Sequence, residues 1–199
     1  MNKLLLPSLI FIVFIFLVYT STVYLDSKPS ITGLSIAGYA VLPLTENNWD
    51  GDTTISQGIV EINNRAIYSK NKYNQATITF RVKFSDDISK YGSWLLGGFA
   101  DDNELNLNEK AVFYIDSDFM KAFVSDGSET IWCSPILDYN WQEFHNFKIA
   151  VTDKTNFYVD DVEVCSISKV PNKELPIVVN ENSIKDGIKI LLKSVEITA

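Results

Sequence analysis

The chain has 199 residues and a mass of 22.5 kDa, enough for one ordinary domain plus an appendage. Its 46% hydrophobic and 13% aromatic content supplies the apolar surface of a packed core and excludes disorder over most of its length. A formal net charge of −8, with arginine only at Arg65 and Arg81, repels phosphate backbones and leaves few bidentate phosphate donors, so nucleic acid is not expected as a partner.

Leu4 to Leu25 is nearly continuous apolar sequence, and as a helix rising ~1.5 Å per residue it reaches ~33 Å, the thickness of a bilayer's hydrocarbon core. Lys3 precedes the run and Asp26 follows it, so the following domain is expected outside the cytoplasm. Thr20-Ser21-Thr22 matches a small-x-small cleavage site poorly, which favours a retained single-span anchor over a cleaved signal peptide. Residues 1–29 are therefore read as anchor or signal with a short linker, and residues 30–199 as the domain. Losing Lys3, Lys28 and Asp26 leaves that domain 15 basic against 24 acidic residues, net −9. Cys133 and Cys165 could join as one disulfide in an oxidising compartment or stand as two small strand hydrophobes; the sequence leaves both open. No Asn-x-Ser/Thr acceptor occurs.

From Ser30 onward, short β-branched and aromatic runs alternate in polarity between Asp, Asn, Gly and Lys clusters. Ile59–Ile62 and Ala66–Tyr68 flank Asn63-Asn64-Arg65, which reads as a hairpin because asparagine tolerates left-handed turn geometry. Ala76–Phe84 places Ile78, Phe80, Val82 and Phe84 on one side and Thr77, Thr79, Arg81 and Lys83 on the other. Ser93–Phe99 is apolar on both faces, as in a central strand, and its glycine pair invites a bend or the close approach of another backbone. Lys110–Ser117, Phe119–Ser125 and Glu129–Ser134 read as three successive strands, and Phe144–Ile167 as a three-stranded meander turning at Asp153-Lys154 and Asp160-Asp161. Leu175–Val179 and Ile188–Thr198 supply the last two, with Pro171 and Pro176 punctuating the approach to the first. Eleven or twelve short strands over some 170 residues imply an all-β antiparallel sandwich.

Several segments together resemble the concanavalin A-like lectin/glucanase jelly roll over Ala40 to Ala199. They are Trp49, the run Gln57 to Tyr68, the strands around Phe80-Arg81-Val82-Lys83-Phe84 and Trp94-Leu95-Leu96-Gly97, and Trp141-x-x-Phe144-His145-Asn146-Phe147-Lys148-Ile149 followed by Phe157-Tyr158-Val159-Asp160. Asp161 stands where that family commonly has glycine. The resemblance implies a jelly-roll β-sandwich; the same architecture hosts lectins, carbohydrate-binding modules, hydrolases and adhesion domains, so it selects none of them.

Glycosidases of this fold that resemble family 16 carry Glu-x-Asp-x-Glu or its bulged form, because nucleophile and acid must flank the scissile bond ~5 Å apart. The nearest string here is Glu104 to Glu109, with asparagine in place of the central aspartate and a position in the loop before the strand rather than on it. Intact family 16 chemistry is thus not expected, and Glu104 and Glu109 form only a weak catalytic candidate. On the following strand Tyr114 and Asp116 share a face, and with Trp94 and Trp132 they make a candidate sugar-stacking platform. For any one of these aromatics, a half-buried core position is the simpler reading. Asp50-Gly51-Asp52, Asp86-Asp87 and Asp101-Asp102-Asn103-Glu104 offer hard oxygen ligands of the kind that structural calcium takes in members of this fold; Asp101 and Asp102 are the weak metal candidates, and solvated turns explain all three clusters more simply. His145 is the only histidine, which excludes paired-histidine metal chemistry and points to a structural role. The expectation is a non-catalytic ectodomain, anchored or secreted, that binds a glycan or a surface protein without a cofactor beyond a calcium ion. The alternatives are a hydrolase using Glu104 and Glu109, and a structural surface or filament protein joined through sheet edges.

Overall fold

The computed structural model describes residues 39–42, 44, 48–51, 53–56, 58–62, 66–86, 93–102, 106–116, 119–135, 139–179 and 189–198. The expected N-terminal membrane or signal helix lies outside the described residues. Among the described residues no helix is long and apolar enough to cross a membrane, and all regular structure is β. In chain order the strands are β1 (Tyr39–Val41), β2 (Trp49–Asp50), β3 (Thr53–Ser56), β4 (Ile59–Ile62), β5 (Ile67–Tyr73), β6 (Thr77–Phe84), β7 (Ser93–Ala100), β8 (Lys110–Asp116), β9 (Phe119–Ser125), β10 (Thr130–Cys133), β11 (His145–Val151), β12 (Thr155–Val159), β13 (Val162–Ile167), β14 (Leu175–Val179) and β15 (Ile190–Thr198).

They form two antiparallel sheets. The eight-stranded sheet runs β13-β12-β11-β6-β15-β4-β3, with β1 also paired to β15; the seven-stranded sheet runs β10-β9-β8-β7-β14-β5-β2. Strict alternation produces the first sheet, since β6, β11 and β12 bury every second residue and so present one wet and one apolar face. The second sheet has a different character at its centre. Five residues of β14 and the first six of β8 are buried without alternation, the pattern of strands covered on both sides.

The core lies between the sheets and is dense in phenylalanine. Phe113 from β8 meets three rings of the opposite sheet edge-on: Phe80 at 6.3 Å, Phe147 at 5.2 Å and Phe157 at 5.1 Å between centroids. Two glycines make room. A Cβ on Gly97 would fall 3.2 Å from the Phe80 ring, and one on Gly98, at φ +149°, would fall 2.2 Å from the Ala111 carbonyl oxygen. The glycine pair therefore serves close approach, and the pairing of β7 with β8 shifts register between Leu95 and Gly97.

Three expectations need correction. Ile59–Ile62 and Ala66–Tyr68 are not a hairpin: β4 pairs with β3 and β15, whereas β5 belongs to the other sheet beside β14 and β2. The chain crosses the sandwich there, and the true hairpin partner of β4 is β3, turning through Gly58 at φ +74°. Among the described residues there are fifteen strands rather than eleven or twelve, because β1, β2 and β3 are two to four residues long and leave too little periodicity to read. Pro176 lies inside β14 and not before it. Proline cannot donate to a ladder and is normally confined to edges or bulges; here pairing with β5 shifts between Pro176 and Val178, and the buried Ser69 hydroxyl accepts the Ile177 N–H at 2.8 Å.

The meander β11-β12-β13 forms as expected. Its second turn has Asp160 at φ +49° and Asp161 at φ +65°, the positive pair that a two-residue type I′ hairpin demands. Asp160 secures the turn, its carboxylate accepting the Asn146 N–H at 2.9 Å and standing 2.7 Å from His145 Nδ1. At the same side of the molecule a disulfide joins Cys133 of β10 to Cys165 of β13, Cα atoms 6.3 Å apart, so an edge strand of each sheet is tied to the other.

Two stability predictions follow from these features. Replacing both Cys133 and Cys165 by serine releases a loop of 32-residue separation and should cost about 3–4 kcal/mol, or roughly 10 °C in a thermal melt. Asp161→Gly should leave the melting temperature level or slightly raised, because glycine relieves the left-handed strain, whereas Asp161→Val should lose about 1–2 kcal/mol at the same position.

Candidate functional site

Each sheet has an outward face, and the sequence's candidate platform lies on that of the seven-stranded sheet. Along β8, Ala111, Phe113 and Ile115 point into the core, so Val112, Tyr114 and Asp116 point out. Register then selects their neighbours: Val112 lies opposite Phe123, Tyr114 opposite Lys121 and Asp116 opposite Phe119 on β9, and Phe123 in turn opposite Trp132 on β10. Leu95, Val112, Tyr114, Phe123 and Val178 form a second apolar cluster on this outer face, separate from the main core.

Trp132 stands on that cluster. It is 46% exposed, its ring tilted 34° over Phe123 at 4.3 Å and edge-on to Tyr114 at 5.8 Å. Tyr114 is itself 5% exposed, so it supports the indole from below rather than offering a free face. Beside them Asp116 is paired with Lys121, and Phe119 is 63% exposed. Trp132, Tyr114 and Asp116 are thus brought to one face. Trp94 lies in β7 opposite Ile115, while Tyr114 faces Leu95; the Trp94 side chain lies outside the described residues. Phe119, Lys121 and Phe123 escape the sequence reading, although the alternation of β9 would have found them once its register with β8 was known.

The segment between β7 and β8 is organised by a buried cation. Lys110 is wholly buried, and its ammonium donates to Asp102 at 2.7 Å and to Asn106 at 3.1 Å. Asn108 donates to the same Asp102 carboxylate. A charge at that depth is tolerated only with such partners. Asp101 faces Lys72 at 3.1 Å and Lys173 at 2.7 Å; burial pushes its carboxyl up, but the hydrogen bonds from Lys173 and Lys72 outweigh that and hold it below the usual range. The two metal candidates therefore already face ammonium groups, and a divalent cation does not fit that donor set. Among the described residues no three His, Cys, Asp or Glu side chains gather as a metal site. Asp52, Asp87, Asn103 and Glu104 lie outside the described residues.

Glu109 turns to the β13–β14 connection, where its carboxylate accepts the N–H groups of Asn172 at 2.5 Å and Lys173 at 2.9 Å. Nearby, Lys169 bridges Asp126 and Glu129. The Lys169 ammonium, with the Ser128 hydroxyl and the amides of Ser128 and Glu129, holds the Asp126 carboxyl well below the ordinary range. These bonds pin the β9–β10 turn to the linker. Of the outward residues of β8, only Asp116 is a carboxylate. His145 is buried, with Nδ1 at Asp160 and Nε2 3.0 Å from the Asn140 carbonyl oxygen, and its ring lies 4.8 Å from Tyr139.

No protein-family model and no curated protein matches the chain. Solved structures do share its fold. A prokaryotic β-1,3-1,4-glucanase (lichenase) derived from a mouse hindgut metagenome superposes with a TM-score of 0.64 at 11% identity, over 80% of this chain and 98% of that one. Carbohydrate-binding module CBM66 from Bacillus subtilis gives 0.55 at 12% identity, over 81% and 96%. Botulinum neurotoxin type C, whose cell entry depends on interaction with two ganglioside molecules, gives 0.55 at 11% identity over 80% of this chain, which spans 43% of the toxin chain. The fold is the concanavalin A-like jelly roll.

The Lys110 cage is open to direct test. Lys110→Met keeps the aliphatic stem but takes the ammonium from Asp102, leaving its carboxylate only amide donors, and should lower stability by about 2–3 kcal/mol in denaturant unfolding. An unchanged midpoint would mean that the loop is held by other contacts.

Proposed function

We propose that the domain is a non-catalytic carbohydrate-binding module acting outside the cytoplasm, with the exposed Trp132 edge of the seven-stranded sheet's outer face as its saccharide contact. The observation that carries the reading is Trp132: an exposed indole fixed in orientation by Phe123 and Tyr114. A rigid aromatic plane stacks on the apolar face of a pyranose ring at little entropic cost. Asp116 and Lys121, adjacent on the same face, supply an acceptor and a donor for sugar hydroxyl groups, the pattern of few polar groups around an apolar base that gives such sites specificity. The fold is shared with a carbohydrate-binding module and with glucanases, which agrees with a saccharide ligand. The Cys133–Cys165 bridge suits an oxidising, exported setting, and the Leu4 to Leu25 run would tether the domain to the membrane that it crosses.

Absence of catalysis is part of the proposal. A retaining glycosidase needs two carboxyl groups ~5 Å apart across its cleft; Glu109 is instead bonded to two backbone amides, and Asp116 is paired with Lys121.

Screening the full chain on a glycan array identifies the sugar, and Trp132→Ala should then weaken binding about tenfold or more while leaving the melting temperature within a few degrees. Binding that survives Trp132→Ala would move the site elsewhere. Turnover of β-glucan, xylan or galactan that is lost in Glu109→Gln would replace the proposal with a hydrolase, and polymerisation in the absence of sugar would replace it with a filament subunit.

A further inference from the structure

The opposite side of the sandwich carries a concentration of positive charge that the acidic composition does not lead one to expect. Arg81 and Lys83 point outward from β6, and Phe144 immediately precedes β11, where the pairing of His145 with Val82 brings it alongside Lys83. Three cationic groups converge on the Phe144 ring: Lys83 Nζ at 4.9 Å from its centroid, Arg81 Cζ at 5.7 Å and Lys193 Nζ at 5.7 Å. Lys193 reaches it through an irregularity in β15. The register against β6 shifts between Leu192 and Ser194, so Lys193 is an extra residue turned outward beside Ser194, while Leu192 and Val195 stay in the core. A bulge of this kind re-aims a side chain at the cost of a ladder position.

These three cations differ from most of their kind in this chain. Lys70, Lys72, Lys110, Lys121, Lys148, Lys169, Lys173 and Lys189 each have a carboxylate within ion-pair distance. Arg81, Lys83 and Lys193 have none among the described residues, and Arg81 Nε is buried without a hydrogen-bond partner. Three like charges around one ring repel one another, and the ring quadrupole offsets only part of that repulsion. An anion would complete the arrangement. The same face also holds an open groove of about 630 Å³, within the usual range of ligand sites. Hydroxyl and amide groups line it, from Thr77, Thr79, Asn146 and Ser194, and it includes the ring of Tyr158. Its acidic groups are Glu196 and Asp161, and the latter is paired with Lys148.

We propose that this face is a second binding surface, for a saccharide bearing carboxylate or sulfate groups. The anionic substituent sits among Arg81, Lys83 and Lys193 beside Phe144, and the sugar backbone extends over Thr79, Asn146 and Ser194 toward Tyr158. Fixed hydroxyl and amide groups suit a polyhydroxylated chain, whereas an acidic peptide would require apolar side-chain pockets and the groove's aliphatic lining is Ala150 alone. The proposal does not rest on Trp132, which lies on the other sheet.

The test titrates the full chain with polygalacturonate and with dextran sulfate, using neutral dextran and poly-glutamate as controls. Binding to either charged glycan, weakening as salt rises and reduced at least tenfold in Arg81→Gln and in Lys193→Gln but unchanged in Lys70→Gln, a lysine of the other sheet, is the expected result; which polymer binds tells carboxylate from sulfate. Lys193 is exposed, so its variant folds whatever happens to the other. No binding of either charged polymer at low salt overturns the proposal. So does undiminished binding by Lys193→Gln, and so does equal affinity for poly-glutamate, which would make the partner an acidic protein segment.

Discussion

The fold turns on the contact between one ring of the seven-stranded sheet and three of the other. Phe113 meets Phe80, Phe147 and Phe157 edge-on at 5.1 to 6.3 Å, and such pairs contribute about 0.5–1.5 kcal/mol each beyond the area that they bury. The geometry leaves no space for a side chain at Gly97, whose missing Cβ lets Phe80 approach. With Phe113 fixed inward, alternation along β8 turns Val112, Tyr114 and Asp116 outward. The core contact and the candidate sugar face are thus two sides of one strand, and neither can move without the other.

Much of this was legible in the sequence because strand periodicity is two. Thr77–Phe84, His145–Val151 and Thr155–Val159 bury the residues that alternation selects, and the meander turns fall at their Asp-rich pairs. The reading failed where the same residues fit two topologies. Asn63-Asn64-Arg65 has hairpin chemistry, but the segment bridges two sheets, and only the pairing of β4 with β15 and of β5 with β14 decides between them. Pro176 fails for a similar reason: its place in a central strand depends on Ser69, which accepts the N–H of the next residue, Ile177, from 108 residues away along the chain.

The candidate site was legible in part. Tyr114 and Asp116 follow from spacing within one strand, and Trp132 from its strand, but their union depends on register across three strands. Lys110 was invisible as a structural residue because lysine is among the side chains least often buried; it is the partners Asp102 and Asn106 that permit its burial. The cationic face escaped altogether. Arg81 and Lys83 read simply as a wet strand face, and the bulge that brings Lys193 to them has no local sequence signal. Net charge is a sum over the surface and conceals such separations: an acidic chain places on one sheet three cations with no carboxylate partner among the described residues, and Trp132 on the other.

Cys133 follows Trp132 directly, and its sulfur is bonded to the far sheet through Cys165. Among the described residues the four-residue β10 is an outermost strand paired only with β9, so that pairing alone would leave it free to fray and swing the indole away. The covalent bond removes that freedom. On the proposed reading, recognition is thereby linked to the state of two thiols: a chain in which they are reduced would hold its aromatic platform loosely, and closing the bridge would set it in place.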